Sequence, residues 1–161
     1  MHMTVTAAVR TMAQSSLGAS SRDMTISPAA AKASAELTPA FAYRAFRPGS
    51  ACGARPGMIW LDIEGNGWGG NLGRNQQFIA GLASSLRAHN VSFGVYANYN
   101  AWSHIVGNWN GLSGVPLWWP YWDNNPGLGN FKSFGGWGRA AMKQYHGDTG
   151  LCGCNVDMDS Y

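Results

Sequence analysis

Four apolar residues run directly into two carboxylates at Met58-Ile59-Trp60-Leu61-Asp62-Ile63-Glu64-Gly65. A short continuous apolar run of this kind, entered through Arg55-Pro56-Gly57, reads as a buried strand. On a strand, residues i and i+2 project to one face, so Asp62 and Glu64 stand together, roughly 7 Å apart along the backbone. Two acids side by side at a strand exit repel each other and their pKa values separate. One then stays protonated and the other ionised, a division of labour that glycosidic hydrolysis uses. The plainer alternative is that both acids cap the strand and open a solvated turn.

Beyond this strand the chain alternates. Phe78, Ile79, Leu82 and Leu86 recur at helical spacing and predict a helix over about Asn75 to His89, with Asn90 as its stop. Val91 to Asn98 alternates as a strand, Ala101 to Val106 reads as a short helix, and Pro116 to Asp123 reads as a strand with irregular, proline-marked edges. A long loop to Gly138 carries Phe131, Phe134 and Trp137. Strand, helix, strand, helix, strand implies parallel βα units and an α/β fold. The last two strands, Ala141–His146 and Cys154–Met158, are joined by a turn around Gly147-Asp148-Thr149-Gly150. That link is too short for a helical crossover and predicts antiparallel pairing.

Residues 1–57 differ from the rest. All eight Trp lie beyond them, and they hold six basic side chains against two acids, whereas the remainder holds five basic and six acidic groups. Ser27 to Leu37 reads as a short helix with Pro28 at its first position, and Ala40 to Phe46 as a strand. The segment as a whole, residues 1–55, is expected to be poorly ordered. No secretory signal peptide is expected, because Val5 to Val9 is short and Arg10 interrupts it. With 161 residues one domain is the default, and charged residues at 12% with eight Trp suit a loop-rich fold with an aromatic cleft. No basic cluster interleaved with aromatics suggests nucleic acid, and no apolar run reaches transmembrane length. Cys52, Cys152 and Cys154 leave one disulfide plus a free thiol, or three thiols, equally open.

Asp62-Ile63-Glu64 after an apolar strand, then Gly94-Val95-Tyr96, Leu117-Trp118, Lys143-Gln144-Tyr145 and Val156-Asp157-Met158-Asp159 stand in one order. Together they resemble glycoside hydrolase family 25, the Chalaropsis-type lysozymes or N-acetylmuramidases, and in particular its small eukaryotic members. The resemblance covers about residues 56–161. It implies a partial, irregular (β/α) TIM-like barrel with antiparallel C-terminal strands. It also implies hydrolysis of the β-1,4 bond between N-acetylmuramic acid and N-acetylglucosamine, peptidoglycan as partner, and an extracellular or lysosomal/phagosomal setting. No cofactor and no metal are expected. Chitinases also end a barrel strand in D-x-E, but Trp60 stands where their longer signature has an acid.

The resemblance makes Glu64 the general acid that protonates the glycosidic oxygen, with a pKa raised by Ile63 and nearby Trp side chains. Asp62 becomes the partner that orients or stabilises the cationic oxazolinium or oxocarbenium species, with the substrate's 2-acetamido group as nucleophile. Asp157 matches a family acid facing the same site, and an acid between Val156 and Met158 is hard to explain by packing. Tyr96, Trp118, Tyr121 and Gln144 are expected to line the groove, with Asp123 a further candidate. Tyr96 and Trp118 also read as core side chains, and Asp123 as a strand-end cap. None of His2, His89, His104 and His146 reads as a metal ligand.

A complete barrel of that family begins with a strand bearing its own site Asp, then two more strand–helix units before the D-x-E strand. Residues 1–57 show no such strands, and Asp23 is their only Asp. Five strands, against the roughly eight that closure takes, predict an open sheet with unpaired edges. A fragment, a half-barrel needing a partner, and a divergent domain are alternative readings. So is an inactive or peptidoglycan-binding remnant in place of a hydrolase.

Overall fold

In the computed structural model, which describes residues 8–12, 58–151 and 154–161, the run at residue 58 is strand β2 (Met58–Asp62). The elements expected at residues 27–37 and 40–46, and Cys52 and Cys152, lie outside the described residues. The other elements are β1 (Ala8–Met12), α1 (Leu72–Ala88), β3 (Phe93–Tyr96), α2 (Tyr99–Val106), β4 (Leu117–Pro120), β5 (Met142–Leu151) and β6 (Cys154–Ser160). They form one six-stranded sheet in sequence order. Strands β2 to β5 are parallel, and β6 pairs antiparallel on β5. This is the partial, irregular β/α barrel sheet that the sequence leads one to expect.

One edge differs from expectation. Strand β1 pairs antiparallel on β2, from Ala8 opposite Asp62 to Met12 opposite Met58, so the backbone groups of β2 are not left as an open edge. The other difference is at the C-terminus. No turn forms at residues 147–150; β5 runs through them to Leu151 with register shifts around His146. Asp148 takes up the irregularity in the left-handed region (φ 55°), which a short polar side chain tolerates.

Helix α1 starts a turn earlier than the apolar spacing suggests because Asn71 caps it, its side chain accepting from the Arg74 N–H at 3.0 Å. Asn98 caps α2 in the same way, and Gly107, at φ 66°, ends it. Both helices cover one face of the sheet. Ile59, Leu61 and Ile63 alternate onto that face with Val95 and Leu117, against Ile79, Leu86, Trp102 and Ile105. The opposite face holds Trp60, Tyr96, Trp118 and Met142. The period of two therefore separates a helix-packed core from an aromatic inner face, and Asp62 falls on the latter. No helix among the described residues is long and apolar enough to cross a membrane.

Gly94 makes the inner face possible. It stands in register with Trp60, and a Cβ there would lie inside the indole, 2.6 Å from Cε3, and 2.8 Å from the Pro116 carbonyl oxygen. Gly94→Ala is expected to lower stability by about 1–3 kcal/mol, read as a lower denaturant midpoint at unchanged slope.

Candidate active site

The C-terminal ends of β2, β3 and β4 open onto a groove of about 720 Å³. In parallel βα sheets this is the end where loops gather functional side chains. Glu64 reaches it because the extended backbone continues past Asp62: the Ile63 N–H donates to the Tyr96 carbonyl at 2.9 Å. Ile63 itself is wholly buried on the helix side, which leaves Asp62 and Glu64 to point the other way. Gly65, at φ 73°, then turns the chain, and the Trp68 indole N–H returns to the Glu64 carbonyl at 3.1 Å. Glu64 is thus held on both sides, half-buried at the groove wall.

Three of the expected residues, Glu64, Tyr96 and Tyr121, line the groove. Asp62, 4% exposed on the inner face, is not among the lining residues and stands two residues before Glu64 on the same strand face. Gln144, fully buried, is a junction rather than a wall. Its Oε1 accepts from the Tyr96 hydroxyl and the Trp122 indole N–H, both at 2.8 Å, and its Nε2 donates to Asp157 Oδ2 at 2.9 Å. Asp157 also accepts from the Asp148 N–H at 3.1 Å. Trp118 is buried edge-on to Trp60 and Tyr96, and its N–H donates to Asp159 Oδ1 at 2.8 Å. Gln144, Asp157 and Trp118 therefore tie β3, β4, β5 and β6 behind the groove.

Asp123 faces Lys143. The lysine side chain is fully buried, and its Nζ donates to both Asp123 oxygens at 2.8 and 2.9 Å and to the Asn125 carbonyl at 2.8 Å. The ammonium also sits 5.1 Å from the Trp119 ring centroid and 5.3 Å from that of Tyr121, two rings stacked 4.7 Å apart. This contact fixes the loop after β4 against the groove's aromatic wall.

The hydrogen bond from Lys143 pulls the Asp123 carboxyl from the usual 3.8 down to about 2, helped by the Asn125 N–H and the Asn130 amide. A carboxyl with a lowered folded pKa adds stability above its unfolded pKa and loses it as pH falls through the folded one. The contribution should hold to about pH 4, decline from there to about pH 2, and be absent in Asp123→Asn. Thermal melts followed by tryptophan fluorescence across that range check this.

Several groove residues were not singled out from sequence: Asn98, Tyr99 and Asn100 after β3, Trp119 and Trp122 around the end of β4, and Lys132 in the long loop. The available signal is positional, since most of them follow the C-terminal end of a parallel strand.

Residues 7–145 match the family model described as Lysozyme-like protein 1, a match that reaches well into the first third of the chain. The chain is 38% identical over 112 residues to Probable GH family 25 lysozyme 4 of Dictyostelium discoideum, covering 70% of this chain and 53% of that protein. It is 36% identical over 111 residues to Lysozyme-like protein 5 of Caenorhabditis elegans, covering 68% and 52% respectively. Among solved structures, the muramidase from Trichobolus zukalii is similar at a TM-score of 0.51 and 21% identity, over 63% of this chain and 49% of that one, a likeness of fold. The chain spans about half the length of these relatives.

Proposed function

The chain belongs to the lysozyme-like proteins of glycoside hydrolase family 25, and on that footing we propose that it cleaves the β-1,4 bond between N-acetylmuramic acid and N-acetylglucosamine in bacterial peptidoglycan. The observation that carries this reading is the position of Glu64, at the wall of an open aromatic groove with Asp62 beside it on the same strand face. Sugar rings lie against Tyr121 and Trp122, which are 48% and 57% exposed. Glu64 gives its proton to the glycosidic oxygen as the bond to C1 breaks. The oxygen of the substrate's 2-acetamido group closes on C1, and Asp62 orients that amide and balances the charge of the ring so formed. Glu64, now ionised, takes a proton from the water that reopens it, and is ready again. Asp157 acts through Gln144, which holds Tyr96 and Trp122 at the groove. Peptidoglycan as substrate puts the site of action outside the cell or in a phagosome.

A second reading is a peptidoglycan-binding module without hydrolysis. It is favoured by the exposed aromatic rim of Tyr99, Tyr121 and Trp122, which can hold glycan without any help from Glu64. Incubation with insoluble peptidoglycan separates the two. A hydrolase raises reducing ends in the supernatant; a module goes down with the pellet and releases none.

A further inference from the structure

Of two lysines near the groove, Lys132 is part of its lining and Lys143 is buried against the rings of Trp119 and Tyr121. Lys143 is buried on Asp123. Lys132 is exposed, lines the groove, and makes no ion pair or side-chain hydrogen bond among the described residues. Among the groove-lining residues the charged groups are Lys132 and Glu64. Lys132 is thus the one cationic side chain among the described residues that line the groove.

A lysine on a mobile loop would be a solvated charge and nothing more. Here the backbone on both sides of it is pinned. Asn130 donates to Asp123 Oδ2 at 2.7 Å, and Phe131 packs edge-on to Trp119 with centroids 5.2 Å apart. On the other side Phe134, 3% exposed, packs on Tyr99 and Trp137, and the Gly135 N–H donates to Asn108 Oδ1 at 2.6 Å. The backbone that carries Lys132 at the groove is therefore fixed on both sides.

N-acetylglucosamine is neutral. The muramyl sugar differs from it by the lactyl ether on O3, which ends in a free carboxylate or continues into a stem peptide that carries carboxylates. We propose that Lys132 is a specificity-determining residue that binds a carboxylate borne on the O3 arm of the muramyl sugar, and so selects peptidoglycan over neutral amino-sugar polymers. This rests on the hydrolase reading above and names the feature of the substrate that the groove selects.

The test compares wild type, Lys132→Gln and Lys132→Arg on soluble glycan fragments. One set keeps its stem peptides, a second is stripped by an amidase to free lactyl carboxylates, and each is also supplied with carboxylates converted to methylamides. Wild type should show a KM about three- to tenfold lower for a carboxylate form than for its methylamide, a gap that narrows with salt. Lys132→Gln should lose the gap while kcat stays within about twofold, and Lys132→Arg should restore it. A gap in the intact set alone assigns the stem carboxylates; one in the stripped set alone assigns the lactyl group. An equal gap in wild type and Lys132→Gln, or none in wild type, overturns the proposal. Dissociation constants for the same fragments are read in parallel. If nothing is cleaved, the hydrolase reading fails, and the binding preference still decides the role of Lys132.

Discussion

Replacing Glu64 by Gln is expected to remove reducing-sugar release from peptidoglycan, a loss of about 10²–10⁴-fold, while wall binding and melting temperature stay at the wild-type level. The side chains are of equal size and both accept and donate hydrogen bonds, but an amide has no proton to give to a leaving oxygen. Glu64 is half-buried and lies beyond the end of β2, and Gln matches its size and can both donate and accept, so the fold should tolerate the exchange. Its backbone is fixed by the Ile63–Tyr96 and Trp68–Glu64 hydrogen bonds, which do not involve the side chain. Activity and stability should therefore separate cleanly in this variant. Full activity in Glu64→Gln would move the acid to another residue.

The largest expected loss of stability is in Trp102→Ala, about 3–5 kcal/mol by urea denaturation. Trp102 is fully buried on α2, stacked on Trp109 at 6.3 Å and edge-on to Trp137 at 5.0 Å. Its indole N–H donates to the Trp109 carbonyl at 2.7 Å. The backbone at Gly135 comes so close that a Cβ there would lie 2.6 Å from Trp102 Nε1. Truncation removes the support on which residues 109–137 rest, and with it the footing of Phe134 and Lys132 at the groove. Trp102→Phe, which keeps a ring but loses the indole hydrogen bond, should fall between the two. An equal loss in Trp102→Phe and Trp102→Ala would mean that the hydrogen bond, rather than the packed ring, carries the contribution.

Local patterns made the parallel core readable. The apolar run at Met58, the helical spacing of Ile79 and Leu86, and the strand at Val95 each announce an element, and their order implies the βα crossovers that the structure contains. What was hidden depends on partners far away in sequence. Strand β1 has five residues and gains its meaning only from pairing with β2, some 50 residues later. The extension of β5 past Gly147 needs Asp148 in a left-handed conformation, which a glycine-flanked acid suggests as readily in a turn. At the site, D-x-E at the end of a strand led to the groove directly, because period-two geometry holds up to Glu64. Lys132 was not visible, since no spacing rule connects a loop lysine to a strand end. Lys143 has the same cause: its acid partner lies 20 residues earlier on a loop, and only the fold makes a buried lysine tolerable there.

The most direct measurement is the identity of the sugar at the new reducing end. Peptidoglycan digested by the wild-type chain, reduced with borohydride and resolved by mass spectrometry, should yield fragments ending in reduced N-acetylmuramic acid, and Glu64→Gln should yield none. Fragments ending in reduced N-acetylglucosamine, or muramic ends released equally by both proteins, would contradict a muramidase in which Glu64 is the acid.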